Sequence, residues 1–123
     1  MAIENVELLC GRSEELAHEA GYREQFDVVT ARALAPLNTL VELAAPFAKV
    51  GGRIVCWKSM NIEQELQESL LARAELSCHL VQTYPYDLPE DWGKRQLLMF
   101  EKTFKTAKKY PRDIGIPKKN PLL

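Results

Sequence analysis

Two histidines and three cysteines in 123 residues leave little material for metal or thiol chemistry. His18 and His79 stand alone, and no Cys or His pair has the spacing of a zinc site. Cys10, Cys56 and Cys78 are too few and too scattered for a disulfide framework. Each sits among apolar neighbours, so all three are expected as reduced core thiols of a cytoplasmic protein. A catalytic cysteine needs a base partner, and none is placed for one. There is no G-x-S-x-G elbow, no P-loop, and no G-x-G among the glycines at 11, 21, 51, 52, 93 and 115. No apolar run approaches the roughly 18 residues of a membrane span. Met1-Ala2-Ile3-Glu4 lacks the basic-then-apolar pattern of a secretory leader, so none is expected.

What is present fits one globular domain: 46% hydrophobic and 27% charged residues, enough for a core and too balanced for wholesale disorder. The net charge of −1 hides an asymmetry. Residues 1–93 hold 7 Lys/Arg against 15 Asp/Glu, and residues 94–123 hold 9 against 2. A basic end on an acidic body suits an anionic partner, and equally a solvated tail.

Asn5 to Cys10 alternates apolar and polar and reads as a strand ending at Gly11. Ser13 then opens a helix with Glu14 and Glu15 in its first turn, and Gly21 stops it. Phe26 to Ala31 is β-rich and nearly all apolar, as in a strand covered on both faces. Pro36 opens the next helix, with Leu37, Leu40, Val41, Leu43 and Ala44 as its buried stripe, and Pro46 ends it. Gly51-Gly52 reads as a turn and Arg53 to Lys58 as a strand. Asn61 and Gln64 mark a capped helix whose Ile62, Leu66, Leu70 and Ala74 share a face. His79 to Tyr84 and Gln96 to Phe104 read as two final strands, joined by a loop over 85–94. After Lys105 the chain turns Lys- and Pro-rich and is expected to be irregular. The boundaries follow as a body over 1–105 and a basic tail over 106–123. Strands alternating with helices imply a three-layer α/β fold with a mostly parallel sheet.

In such folds ligands bind outside the carboxyl ends of the strands. Three ends deliver polar residues: Gly11-Arg12-Ser13-Glu14, Thr30-Ala31-Arg32-Ala33 and Lys58-Ser59. By spacing alone a structural arginine or a helix N-terminal carboxylate explains them as well.

Several blocks carry a resemblance. Asn5 to Leu16, Tyr22 to Ala35, Leu37-Asn38, Pro46-Phe47 with Lys49 to Arg53, Lys108 to Arg112 and Gly115 to Leu122 resemble, in order and spacing, the glucose-inhibited division protein B (RsmG) family. These are small-subunit (16S) rRNA guanine-N7 methyltransferases. The resemblance implies a partial Rossmann-like fold, mostly parallel with an antiparallel final strand. The stretch corresponds to the C-terminal half of such an enzyme and lacks its N-terminal strands and glycine-rich cofactor loop. It further implies S-adenosylmethionine (AdoMet) as cofactor and small-subunit ribosomal RNA as partner. Ser13 and Glu14 match the pair at the adenine end of AdoMet, with Ser13 where the family usually has Ala. Arg32 matches a cofactor-contacting arginine. Lys108, Lys109, Arg112, Lys118 and Lys119 would meet RNA phosphates, and Tyr110 would either stack on a base or pack in a turn. The chain alone is expected to be inactive, with a non-catalytic RNA-binding fragment as the alternative. Asn5 to Cys10, an edge strand in this frame, is expected to join a sheet of about five strands, or to pair two chains as a homodimer.

Overall fold

The computed structural model of the protein describes residues 5–32 and 35–123. The leader reading of residues 1–4, and Ala33 of the second strand-end group, lie outside them. The elements run α1 (Ser13–Leu16), β1 (Phe26–Arg32), α2 (Leu37–Ala44), β2 (Ala48–Ser59), α3 (Glu63–Glu68), α4 (Leu70–Leu76), β3 (Cys78–Asp87), β4 (Lys94–Lys102) and α5 (Ile116–Lys119). The four strands form one sheet in the order β1-β2-β4-β3. β1 pairs with β2 in parallel, and β4 is antiparallel to both its neighbours. Three strands therefore share one direction, and the last runs against them from between β2 and β3.

α2 follows Pro36, whose extended ψ of 157° precedes the first helical turn. A 3-10 turn over Ala45–Phe47 carries Pro46, where the α-helical ladder ends. Leu37, Leu40, Val41 and Ala44 pack on Ile54 and Cys56 of β2, Leu98 and Phe100 of β4, and Ala72 and Leu76 of α4. Burial alternates along β2 and β4, with 54, 56, 58 and 96, 98, 100, 102 buried. One face of the sheet is thus covered and the other is partly open among the described residues.

That corrects the three-layer expectation. Right-handed crossovers taken in one direction across a sheet land on one face. The steps from β1 to β2 and from β2 to β3 go the same way, so α2, α3 and α4 share a side. A second helical layer needs a reversal of strand order.

Other expectations change for physical reasons. Asn5 to Cys10 forms no strand, so the sheet has four strands among the described residues. Its Val6 and Leu8 are exposed, and so is Cys10, which is no core thiol. Alternation marks strand potential, but a strand exists only as a paired ladder, and none of the described strands lies beside it. β1 is an edge strand, with Phe26 and Val28 exposed instead of covered on both faces. The third helix breaks into α3 and α4 at Ser69, whose hydroxyl donates to the Leu66 carbonyl at 2.7 Å. Such back-bonding bends helices. After the break the buried residues are Ser69, Ala72 and Leu76, while Leu70 and Ala74 are exposed. Gly51-Gly52 lies within β2 as a looped-out irregularity: β1 advances from Phe26 to Val28 while β2 advances from Ala48 to Arg53. Gly51 has φ of +87° there.

The segment after β4 folds back over α2 and the α1 region. The Thr39 hydroxyl donates to the Pro117 carbonyl at 3.1 Å. Arg23 donates to the carbonyls of Ala17, Thr106, Ala107 and Tyr110. Lys102, fully buried, donates to the carbonyls of Ala45 (3.1 Å) and Ala48 (2.7 Å) and pairs with Glu24 at 3.2 Å. Tyr110 is buried, with its hydroxyl on Glu75. Of its two expected states, the packed turn is the one formed.

Candidate functional site

Glu14 stands in the first turn of α1 and is largely buried. Its Oε2 accepts the Gly115 amide at 2.9 Å and lies 3.7 Å from Arg12. Burial pushes its carboxyl up. The Gly115 amide, its own amide and Arg12 outweigh that, and the net shift is downward. Glu14 is therefore ionised at neutral pH. Ser13 and Glu14 line a cavity of about 320 Å³ together with Arg12, Ala35, Thr39, Gly115 and Lys118. This cavity lies on the helix-covered side, where the C-terminal segment crosses α2.

Arg32 lies elsewhere. In the ladder it pairs with Trp57, while Ala31 pairs with the buried Cys56. Successive residues of a strand point to opposite faces, so Arg32 belongs to the open face. With Trp57, Lys58, Ser59, Glu65, Tyr86, Leu88 and Arg95 it lines a cavity of about 550 Å³. The cavity lies at the carboxyl ends of β1, β2 and β3, where α/β folds bind ligands. Lys58 closes its helix side: its ammonium donates to Glu65 and to the Ala35 carbonyl at 2.9 Å. Glu65 also accepts the Leu37 amide at 3.0 Å, so this pair fixes the start of α2.

The structure thus brings Ser13 and Glu14 together with Lys118, and places Arg32 in a second cavity at the carboxyl ends of the strands. Lys108, Lys109, Lys118 and Lys119 are exposed, with the Lys109 ammonium 5.1 Å from the Tyr110 ring centre. Arg112 is engaged inside the fold. Its Nη2 donates to Glu42 at 2.8 Å and to the Asn120 carbonyl at 2.6 Å, and its amide donates to Glu42 at 2.8 Å. Tyr86 was missed by sequence reasoning because Pro85 to Lys94 reads as a connecting loop, and Arg95 because it falls between that loop and the strand read from Gln96. The alternating Tyr84 and Tyr86 beside Lys94-Arg95 were the available signal.

Residues 1–90 match the family model of rRNA small subunit methyltransferase G, GidB. A curated relative from Staphylococcus aureus, named ribosomal RNA small subunit methyltransferase G, is 43% identical over 123 residues, all of this chain and 51% of its own length. The protein of the same name from Oenococcus oeni is 41% identical over 120 residues, 98% of this chain and 49% of its own. The chain spans about half the length of these relatives. Among solved structures, a protein described as a DNA modification methylase from Thermus thermophilus aligns at a TM-score of 0.52 with 12% identity. That alignment covers 79% of this chain and 53% of the other, and shows likeness of fold alone.

Proposed function

As the chain belongs to the rRNA small subunit methyltransferase G family, we propose that it serves AdoMet-dependent methylation of guanine N7 in small-subunit (16S) rRNA, contributing the C-terminal portion of the enzyme. The observation that carries this reading is the family match across residues 1–90, which includes Ser13, Glu14 and Arg32. The chemistry accords with the residues at hand. Guanine N7 in RNA bears a lone pair and no proton, so its attack needs no general base. The protein's task is to hold the reacting atoms in line. AdoMet, when bound, supplies the methyl group on a sulfonium.

The donor set fits an adenosine. The Gly115 amide and Arg12 both meet Oε2 of Glu14, and the ionised carboxylate is an acceptor suited to a ribose hydroxyl or an exocyclic amine. The Ser13 backbone supports the same end. Arg32 is assigned to cofactor contact by its match with the family block. Lys108, Lys109, Lys118 and Lys119 contact phosphates, which gives affinity and orientation without sequence readout. Arg112 shapes the segment that presents them. A cytoplasmic location follows from this substrate. No helix among the described residues is long and apolar enough to cross a membrane.

One observation favours a second reading for this polypeptide by itself. Glu14 and Arg32 line separate cavities, with the Lys58 contact to the Ala35 carbonyl between them, which suits a non-catalytic RNA-binding fragment. A methyl-transfer assay distinguishes the two. The chain is mixed with the N-terminal half of the Staphylococcus aureus relative, labelled AdoMet and undermethylated small subunits. N7-methylguanosine in the digested RNA is the expected product. Retained RNA binding without product selects the second reading, and label on another atom refutes the first. Any homodimer would form at the open edge of β1, and light scattering of the purified chain reads its mass.

A further inference from the structure

Glu14 is bonded to the basic end of the chain as well as assigned to the cofactor. Its Oε2 accepts the Gly115 amide at 2.9 Å. Gly115 has φ of +82° and opens α5, the turn that carries Lys118 and Lys119. Its carbonyl accepts the Lys119 amide at 2.9 Å, so the residue is held by Glu14 on one side and by the turn on the other. The far side of the turn has its own anchors: the Pro117 carbonyl on the Thr39 hydroxyl, and the Asn120 carbonyl on Arg112 at 2.6 Å. For residues 113–116 the Glu14 bond is the one hydrogen bond to the body among the described residues. A Cβ on Gly115 would meet nothing within 4 Å, so no close packing on that side replaces the bond.

The charge of Glu14 sharpens the point. The side chain is largely buried and ionised, and its cavity is shared with Arg12 and Lys118. A carboxylate beside phosphate-binding cations repels phosphate, so by charge alone Glu14 opposes RNA. By reach it does the opposite. We infer that Glu14 is a positioning residue for RNA binding: through the Gly115 amide it sets the entry of α5, and with it the places of Lys118 and Lys119. This rests on the reading of the basic end as the RNA-contacting surface. It adds that the carboxylate assigned to the adenosine end also places two of the lysines that meet the RNA. Both ligands of the proposed reaction therefore act on one side chain.

Two conservative variants separate reach from charge. Glu14→Asp keeps the charge but is one methylene too short for Gly115. Glu14→Gln keeps the reach and loses the charge. Filter binding of a short oligouridylate to the 123-residue chain at low salt reads both, with no methyl transfer required. Glu14→Asp should weaken RNA binding about fivefold, the low end of couplings between sites, and its Gly115 amide should exchange with deuterium faster. Glu14→Gln should bind at least as tightly as the parent. A carboxylate acting through charge alone predicts otherwise: Glu14→Asp would match the parent and only Glu14→Gln would gain. Circular dichroism should show the parental fold in both. Replacing Lys118 and Lys119 by Gln checks the reading beneath. No loss of RNA there means that these lysines do not meet it, and the inference falls with that reading. A loss there beside a folded Glu14→Asp chain of parental affinity overturns the inference alone. So does a Glu14→Gln chain that loses more than Glu14→Asp.

Discussion

Arg112 offers a direct way to ask whether the basic end is a tail or part of the fold. Glu42 on α2 is fully buried, and the Arg112 guanidinium is about a quarter exposed. The guanidinium meets the carboxylate through Nε, at 3.2 and 3.1 Å from its two oxygens, and through Nη2 at 2.8 Å. The hydrogen bonds that Arg112 donates to Glu42 raise its pKa above the usual value, so the guanidinium keeps its charge. Arg112→Ala would leave a buried carboxylate with one backbone amide. Removing one member of a buried pair costs roughly 3–5 kcal/mol. With water able to reach the partly exposed guanidinium site, about 3 kcal/mol is expected, a loss of about 10 °C in Tm for a domain this size. Urea unfolding followed by circular dichroism measures it. Replacing both residues by Leu removes the stranded charge and should cost less than Arg112→Ala alone. A single variant less than about 1 kcal/mol below the parent refutes the strut. If RNA affinity then falls while stability holds, Arg112 is a phosphate ligand and the internal pair is incidental.

Acid should loosen the same segment. Burial pushes the Glu24 carboxyl up, but the Thr106 amide and the Lys102 ammonium outweigh it, so its pKa is lowered, as is that of Glu14. A depressed carboxylate adds stability above the unfolded value of about 4.3 and loses it as pH falls through the folded value. The urea midpoint should therefore drop between about pH 5 and pH 3, and a flat profile would contradict this. Gly52→Ala should cost about 1–3 kcal/mol in the same assay. Its Cβ would lie 2.9 Å from the Lys49 carbonyl oxygen and 3.0 Å from that of Asp27, both backbone atoms. Burial holds the Cys56 thiol up at about 11 and Cys78 at about 12, whereas Cys10 is exposed. A thiol reagent at pH 8 should consume one thiol per native chain and three after unfolding. RNA affinity should fall with salt by about 0.7 log units per log unit for each phosphate contact. Replacing the four exposed lysines by Gln should flatten that slope.

The sequence made legible those parts of the fold that are decided locally. α2 carries its own start and stop in Pro36 and Pro46, and of its expected stripe 37, 40, 41 and 44 are buried; Leu43 is only half-buried, while Asn38, Thr39 and Glu42 are buried with the stripe. The direction of the final strand came with the family likeness and agrees with the register of β4. Readings that needed a partner fared worse. Asn5 to Cys10 alternates correctly, yet no strand forms without a neighbour to share its hydrogen bonds. The stripe expected through Leu70 and Ala74 assumed one helix, and a single serine hydroxyl at 69 turned the second half onto another face.

The site shows the same division between edge and face. Strand-end reasoning located the correct edge of the sheet for Arg32, but the edge has two sides. Which side follows from alternation: Val29 and Ala31 pack toward the core, so Arg32 cannot. Charge counting has a similar limit. Nine cations in residues 94–123 read as one basic patch. Lys102 is spent on two carbonyls and Glu24 inside the fold, and Arg112 on Glu42. Arg95 belongs to the open-face cavity, away from the tail. The exposed lysines of the last sixteen residues, at 108, 109, 118 and 119, are carried on a segment held by two carboxylates of the body, the half-buried Glu24 at Thr106 and the buried Glu14 at Gly115. Their positions are therefore set by the acidic body. The opposite charges of the two halves describe a fold that binds its own basic end in order to present what is left of it.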